Sequence, residues 1–305
     1  MDKRMLLILN PSAGQRRANR VMPEIIRTMN DNGYRCEVFV TADRGDATRV
    51  TAQSAQEFDR IVCIGGDGTL NETIKGLIEA GHEVPLGYIP TGSTNDFAAT
   101  LGLSMNCLSA AEDAASCEPL AFDIGTFNGR PFVYTASCGA FTRVSYSAPQ
   151  SVKNTLGHFA YLLEGIRDLS SLRPYPMRVT LGSQVIEKDF IFLSVTNSTS
   201  VGGIIKLDPR QVALNDGRFE VLLVVNPTNP AQLRDIIMSL TTMEVPNDMV
   251  YFTTASRMLV EMDPDTEWTL DGERQEGAQQ IEILNCHSAI HVAVPRLPHD
   301  LEEDF

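Results

Sequence analysis

Between residues 60 and 81 an apolar run, Ile61-Val62-Cys63-Ile64, leads into Gly65-Gly66-Asp67-Gly68-Thr69, and then into a stretch with Leu70, Ile74, Leu77 and Ile78 on one helical face. That order is strand, glycine turn, helix. Thr69 and Glu72 have the spacing of a capping box, which predicts where the helix begins. Glycines let backbone amides approach phosphate oxygens closely, and a helix N-terminus favours the negative charge. Asp67 is the odd member, because a bare carboxylate beside phosphates is repulsive unless a cation or a proton-transfer role accounts for it.

Two further loops follow apolar strands in the same way. Asn10-Pro11-Ser12-Ala13-Gly14 comes after Met5–Leu9, and Pro90-Thr91-Gly92-Ser93-Thr94-Asn95-Asp96-Phe97 comes after Leu86–Ile89. With Cys36–Val40 and Arg60–Ile64 as strands, the first 122 residues read as βαβ units on a mainly parallel sheet. Loops after the strands of such a sheet gather at its carboxyl edge, where ligands bind. Val21, Ile25, Ile26 and Met29 predict a helix between the first two strands, starting at Pro23, with Gly33 as its C-cap.

Beyond residue 122 the pattern turns β-rich. Asn128-Gly129 between Ile124–Phe127 and Pro131–Ser137 is a hairpin signal, and Met177–Leu181, Val185–Thr196, Phe219–Val225, Val250–Glu261 and Gln280–Leu284 read as strands. Leu156–Leu169 and Ala231–Leu240 read as helices. The expected architecture is an N-terminal α/β domain, 1–122, followed by an antiparallel β-sandwich, 123–287. His287–Val294 is a last strand, and residues 288–305 either stay with the sandwich or return to the first domain.

Hydrophobic residues make up 43% and charged residues 21% of 305, a globular balance. The net charge of −14 argues against nucleic acid as a partner. From 141 to 180 the balance reverses, with Arg143, Lys153, Arg167, Arg173 and Arg178 facing Glu164 and Asp168; a solvated face and a membrane-facing patch both fit. The six cysteines show no Cys-x-x-Cys spacing, so reduced thiols in the cytoplasm are expected. No run is long enough for a signal-peptide core or a membrane helix.

The chain resembles the diacylglycerol kinase catalytic-domain family, including the bacterial soluble lipid kinases and YegS-like proteins. The carriers are Asn-Pro-Ser-Ala-Gly at 10–14, Gly-Gly-Asp-Gly-Thr-Leu-Asn-Glu at 65–72, Pro-Thr-Gly-Ser-Thr-Asn-Asp-Phe-Ala at 90–98, Asn-Asp-Gly at 215–217 and Leu-Asp-Gly-Glu at 270–273. The resemblance implies an ATP-dependent lipid kinase that phosphorylates the hydroxyl of diacylglycerol, with ATP on the first domain and the acceptor on the sandwich. Asn10, Pro11, Ser12, Ala13, Gly14, Thr41, Gly65, Gly66, Asp67, Gly68, Thr69, Leu70, Asn71, Thr91, Asn95 and Asp96 would bind the nucleotide. Glu273 would be the general base, with Asp271 and Asp67 orienting it or holding catalytic Mg²⁺. A second, structural Mg²⁺ would sit at the 215–218 turn on Asp216 and the backbone carbonyls of Ala213 and Arg218. A plain Asp-Gly hairpin turn is the other reading there. Where the family often carries three glycines ahead of this turn, this chain has Val201-Gly202-Gly203.

An NAD kinase-like enzyme shares the glycine motif, and a non-catalytic lipid-binding regulator shares the fold; the retained Asp67, Asp271 and Glu273 favour catalysis. His287 and His291 read as strand residues rather than metal ligands, Trp268 as packing, and Ser12 and Ser93 lack a nearby His for a nucleophilic triad. The expected enzyme is cytoplasmic and visits the membrane surface peripherally to reach its lipid. A homodimer is compatible with this reading.

Overall fold

The computed structural model describes residues 3–14, 17–93, 95–139, 172–197, 200–201, 205–206, 213–242 and 248–295. Its contacts divide the chain into a first unit, Met1–Asp123 with Ser288–Phe305, and a second, Ile124–His287.

In the first unit β1 (Lys3–Leu9), α1 (Arg17–Asp31), β2 (Tyr34–Val40), α2 (Asp46–Ser54), a 3-10 turn (Ala55–Glu57), β3 (Arg60–Gly65), α3 (Asp67–Ala80), β4 (Leu86–Pro90), α4 (Asp96–Thr100) and α5 (Cys107–Ser116) follow one another. The strands pair in parallel in the order β2-β1-β3-β4, with Leu7 opposite both Val38 and Val62, and Val62 opposite Gly87. Every residue of β3 and β4 is buried. That is why these strands read as unbroken apolar runs rather than alternating ones. Against one face pack Ala18, Ile25 and Met29 of α1 and Ala110, Ala111, Ala114 and Ala115 of α5.

Two local expectations for this unit are corrected. Helix α1 does not start at Pro23 but is already formed at Arg17, with the proline inside it. Proline removes one helix hydrogen bond, at about 3 kcal/mol, and burial of the Ala18, Ile25 and Met29 stripe on the sheet offsets that loss. The Thr69–Glu72 capping box does not form either. Helix α3 begins at Asp67 after Gly66, with no side-chain cap. Glu72 instead accepts the Gly45 N–H at 2.8 Å, fastening the start of α2.

The second unit is antiparallel. It contains the end of β5 (Pro119–Phe127), β6 (Arg130–Phe132), β7 (Thr135–Gly139), β8 (Tyr175–Leu181), β9 (Gln184–Thr196), the short pair β10 (Ser200–Val201) and β11 (Ile205–Lys206), and β12 (Phe219–Val225). Helix α6 (Pro230–Thr242) precedes β13 (Val250–Ala255), β14 (Arg257–Met262), β15 (Trp268–Leu270), β16 (Glu273–Gln275) and β17 (Gln280–Ala293). Its core gathers Phe127, Phe132, Phe190, Phe219 and Trp268 with aliphatic residues from both sides of the sandwich. Trp268 is packing, as read: its ring meets Phe127 edge-on at 5.1 Å. The hairpin at Asn128-Gly129 forms with both residues at positive φ, 47° and 81°.

Three strand assignments change here. Pro131–Ser137 divides into β6 and β7 around Val133 and Tyr134, whose amides serve a carboxylate described below. Val250–Glu261 divides at Ser256, because β13 pairs with β12 whereas β14 pairs with β8 and β17. Gln280–Leu284 and His287–Val294 are one strand, bent at Ser288 (φ 52°). Its last part belongs to the first unit, where Val292 pairs in parallel with Leu86. The predicted helix Leu156–Leu169 lies outside the described residues, as do Arg143, Lys153, Glu164, Arg167 and Asp168. Of the basic cluster, Arg178 pairs with Glu261 at 3.6 Å and Arg173 lies over the Tyr175 ring, contacts that suit a solvated strand face.

Candidate active site

Three loops of the first unit meet at the carboxyl ends of β1, β3 and β4. The Asn10 N–H donates to the Ile64 carbonyl and its side-chain amide to Thr69 Oγ1, both at 2.9 Å, while its Oδ1 accepts the Ser12 N–H. The Thr91 N–H donates to the Gly65 carbonyl at 2.7 Å. The Asn10–Ile64 and Thr91–Gly65 contacts are backbone on backbone. A Cβ at Gly14, which has φ 47°, would fall on the Thr91 carbonyl oxygen, and one at Gly92 would lie 2.6 Å from the Gly66 Cα. Glycine is required at both by this close approach. Thr41 joins from the end of β2, its N–H on the Leu9 carbonyl at 2.9 Å.

Asp67 opens α3 and faces the third loop. Its carboxylate accepts the Asp96 N–H at 3.2 Å and the Phe97 N–H at 3.4 Å, so it caps α4. Burial pushes its carboxyl up from the ordinary range, against the pull of the Asp96, Phe97 and Asn95 amides. Asn95, in the left-handed region at φ 53°, closes the loop on itself by pairing with Gly92 in both directions, at 2.9 and 3.0 Å.

The expected nucleotide residues thus collect at one edge, with one exception. Leu70 is buried in the core and its N–H is spent on the Gly66 carbonyl, so its side chain supports α3 rather than meeting a ligand. Thr94 lies outside the described residues. The arrangement fits a phosphate chain: α3 presents an N-terminus without a side-chain cap, glycines clear the approach, and the buried hydroxyl of Thr91 has no partner among the described residues.

The second unit holds the other carboxylates on the β15–β16 hairpin, turned by Asp271 (φ 46°) and Gly272 (φ 85°). Asp271 is buried and accepts three amides, from Val133 at 2.6 Å and from Tyr134 and Thr135 at 2.9 Å. Its own N–H returns to the Thr135 carbonyl at 2.9 Å. A carboxylate so occupied is a positioning group, which leaves it poorly suited to hold a cation. Glu273, two residues on, is half-exposed and lies 3.4 Å from the Arg130 guanidinium. Arg130 was missed from sequence: it is 143 residues away along the chain, and only the β5–β6 hairpin delivers it.

At the 213–218 turn, Asp216 is exposed and its Oδ1 accepts the Arg218 N–H at 2.9 Å. One carboxylate beside backbone carbonyls suits a hard cation; among the described residues no cluster of three or more His, Cys, Asp or Glu groups offers a fuller cage. His287 packs beside Gly217, and neither it nor His291 takes part in such a cluster.

A family model described as the diacylglycerol kinase catalytic domain matches residues 4–127, and one described as the YegS C-terminal NAD kinase beta sandwich-like domain matches 135–290. A diacylglycerol kinase of Bacillus subtilis (strain 168) is 33% identical over 296 residues, covering 96% of this chain and 97% of that protein. One of Staphylococcus saprophyticus is 31% identical, covering 97% and 96%. The crystal structure of a diacylglycerol kinase from Bacillus anthracis superposes with a TM-score of 0.74 at 23% identity, over 97% of both chains, a likeness of fold. On this agreement along nearly its whole length, the chain belongs to the diacylglycerol kinase family and is a lipid kinase, a class of enzyme that uses ATP.

Proposed function

We propose that the chain transfers the γ-phosphoryl group of MgATP to the free hydroxyl of a diacylglycerol, giving phosphatidate. The observation that carries this reading is the backbone packing of three glycine loops around the bare N-terminus of α3 in the first unit; the second unit, taken by itself, adds a hairpin whose turn is clamped by Asp271. Amides of 10–14, 65–69 and 91–92 and the Thr91 hydroxyl would hold the triphosphate. Glu273 would take the proton from the acceptor hydroxyl as its oxygen attacks the γ-phosphorus, ADP being the leaving group. Asp271 fixes the turn before Glu273, and Arg130 steadies the carboxylate. Mg²⁺, when bound, would neutralise charge across the phosphates; Asp67, at the start of α3 beside the glycine loops, is the carboxylate suited to face it. The second ion of the 213–218 turn would be structural.

The acceptor lives in a bilayer, and no described helix is long and apolar enough to cross one. The enzyme is accordingly read as a peripheral visitor to the membrane surface. The test is transfer of labelled γ-phosphate to a panel of diacylglycerol, monoacylglycerol, sphingosine, phosphatidylglycerol, undecaprenol and NAD. Labelling of diacylglycerol is expected. Label on NAD alone would overturn the lipid acceptor.

A further inference from the structure

Within the second unit β7, β9 and β12 lie side by side, and their register sets Thr135 opposite Thr196 and Thr196 opposite Glu220. Directly opposed residues of antiparallel strands share a face, so the three side chains form one row. Ser194 stands on the same face two residues along β9, between Ser137 and Leu222. The other face of these strands carries Ala136, Leu193, Val195, Val221 and Leu223 into the sandwich core.

The row is polar, buried and unsatisfied. Thr135, Ser194, Thr196 and Glu220 are 8%, 0%, 0% and 7% exposed. Yet the three hydroxyls and Glu220 Oε2 have no hydrogen-bond partner among the described residues. Each such atom costs about 1–3 kcal/mol, and native interiors leave few of them. Four on neighbouring positions of one face form a row of donors and acceptors that the described residues leave unused and a ligand can take up. The row is also tied to the candidate catalytic hairpin, because Thr135 exchanges hydrogen bonds with Asp271 through both its N–H and its carbonyl.

We propose that Thr135, Thr196 and Glu220, with Ser194 beside them, form the subsite for the head group of the lipid acceptor, a neutral glycerol ester. The inference rests on the lipid-kinase reading above and names where the sandwich holds that substrate. Threonine and serine hydroxyls donate to ester carbonyls, and the Glu220 carboxyl accepts a glycerol hydroxyl hydrogen. The one ionisable member of the row is acidic, which suits a neutral head and disfavours a phosphorylated one. Arg218 is held one strand further out, on the side-chain hydroxyl and carbonyl oxygens of Thr254 at 2.8 and 2.9 Å.

The test is steady-state kinetics of the full chain with dioctanoylglycerol in mixed micelles, comparing wild type with Thr196→Val, Thr196→Ser and Ser194→Ala. Thr196→Val keeps the shape and removes only an unpartnered hydroxyl, so its melting temperature should stay level or rise. KM for dioctanoylglycerol should increase about 3- to 10-fold, the value of one lost hydrogen bond, with kcat retained and the KM for ATP unmoved. Thr196→Ser should restore the wild-type KM. Ser194→Ala provides the same reading should the valine variant fold poorly. An unchanged acceptor KM in folded Thr196→Val and Ser194→Ala proteins overturns the subsite while leaving the lipid-kinase reading intact. A wild-type enzyme that phosphorylates no glycerolipid overturns both.

Discussion

At the residue scale the decisive carboxylates differ in what already occupies them. Asp271 is held by three amides, whereas Glu273 is half-exposed with the Arg130 guanidinium beside it. Glu273→Gln, which keeps size and hydrogen bonding but not basicity, should lower kcat by about 10²- to 10⁴-fold with an unchanged melting temperature; full activity would remove Glu273 from the base role. Asp46 works differently. Its carboxylate takes the N–H groups of Asp43 and Ala42 and pairs with Arg49, securing the loop that follows Thr41. The Asp43 amide, then Arg49 and the Ala42 amide, hold its carboxyl down at about 2. A folded-state value below the unfolded one adds stability that is present above the unfolded value and lost as pH falls through the folded one. Asp46→Asn should therefore melt lower than wild type at pH 7, and the gap should close between about pH 4 and pH 2. Melting curves at stepped pH check this, and a gap that widened in acid would contradict it.

At the element scale, what could be read from sequence followed from burial. Strands β3 and β4 are buried throughout, so the apolar runs Arg60–Ile64 and Leu86–Ile89 mark them to within a residue. Helix α2 was not read, because Asp-Ala-Thr-Arg-Val-Thr-Ala-Gln-Ser buries only Ala47 and Thr51 and shows no apolar stripe. The three glycine loops were visible as motifs, but their mutual contact was not: that Gly14 lies on Thr91 and Gly92 on Gly66 depends on strand order. Gly14→Ala should cost at least tenfold in ATP affinity while the sandwich unit stays folded, since the new methyl displaces the Thr91 carbonyl; equilibrium titration with a fluorescent ATP analogue measures it. Arg60 shows the same dependence on strand order. Its buried guanidinium donates to the carbonyls of Ala114 at 2.7 Å, Ala115 at 2.9 Å and Cys117 at 3.3 Å, closing the C-terminal end of α5, where a cation also suits the helix dipole. Arg60→Met should destabilise the first unit by about 2–4 kcal/mol, read from urea unfolding.

At the scale of the whole molecule, the second unit is an insertion into the first. The chain leaves along β5 at Asp123 and Ile124 and returns along β17 at His287 and Ser288. The buried Asp123 carboxylate accepts the Ser288 N–H at 2.7 Å, so the outgoing and returning strands are fastened where they cross. That Ser288 tolerates φ 52° follows from this tether. The return of β17 sets an order of events during synthesis. The edge of β4 that receives Val292 waits until the chain has passed through 124–287, which is by then complete. The inserted unit can finish folding first, and the first unit's parallel sheet closes last around an edge left waiting for its final strand. A truncated chain ending at residue 127 should therefore expose that edge and aggregate when expressed alone, whereas adding residues 288–295 in trans as a peptide should raise its soluble yield. Completion of the first unit's sheet is thus timed by the return of the chain from the inserted unit.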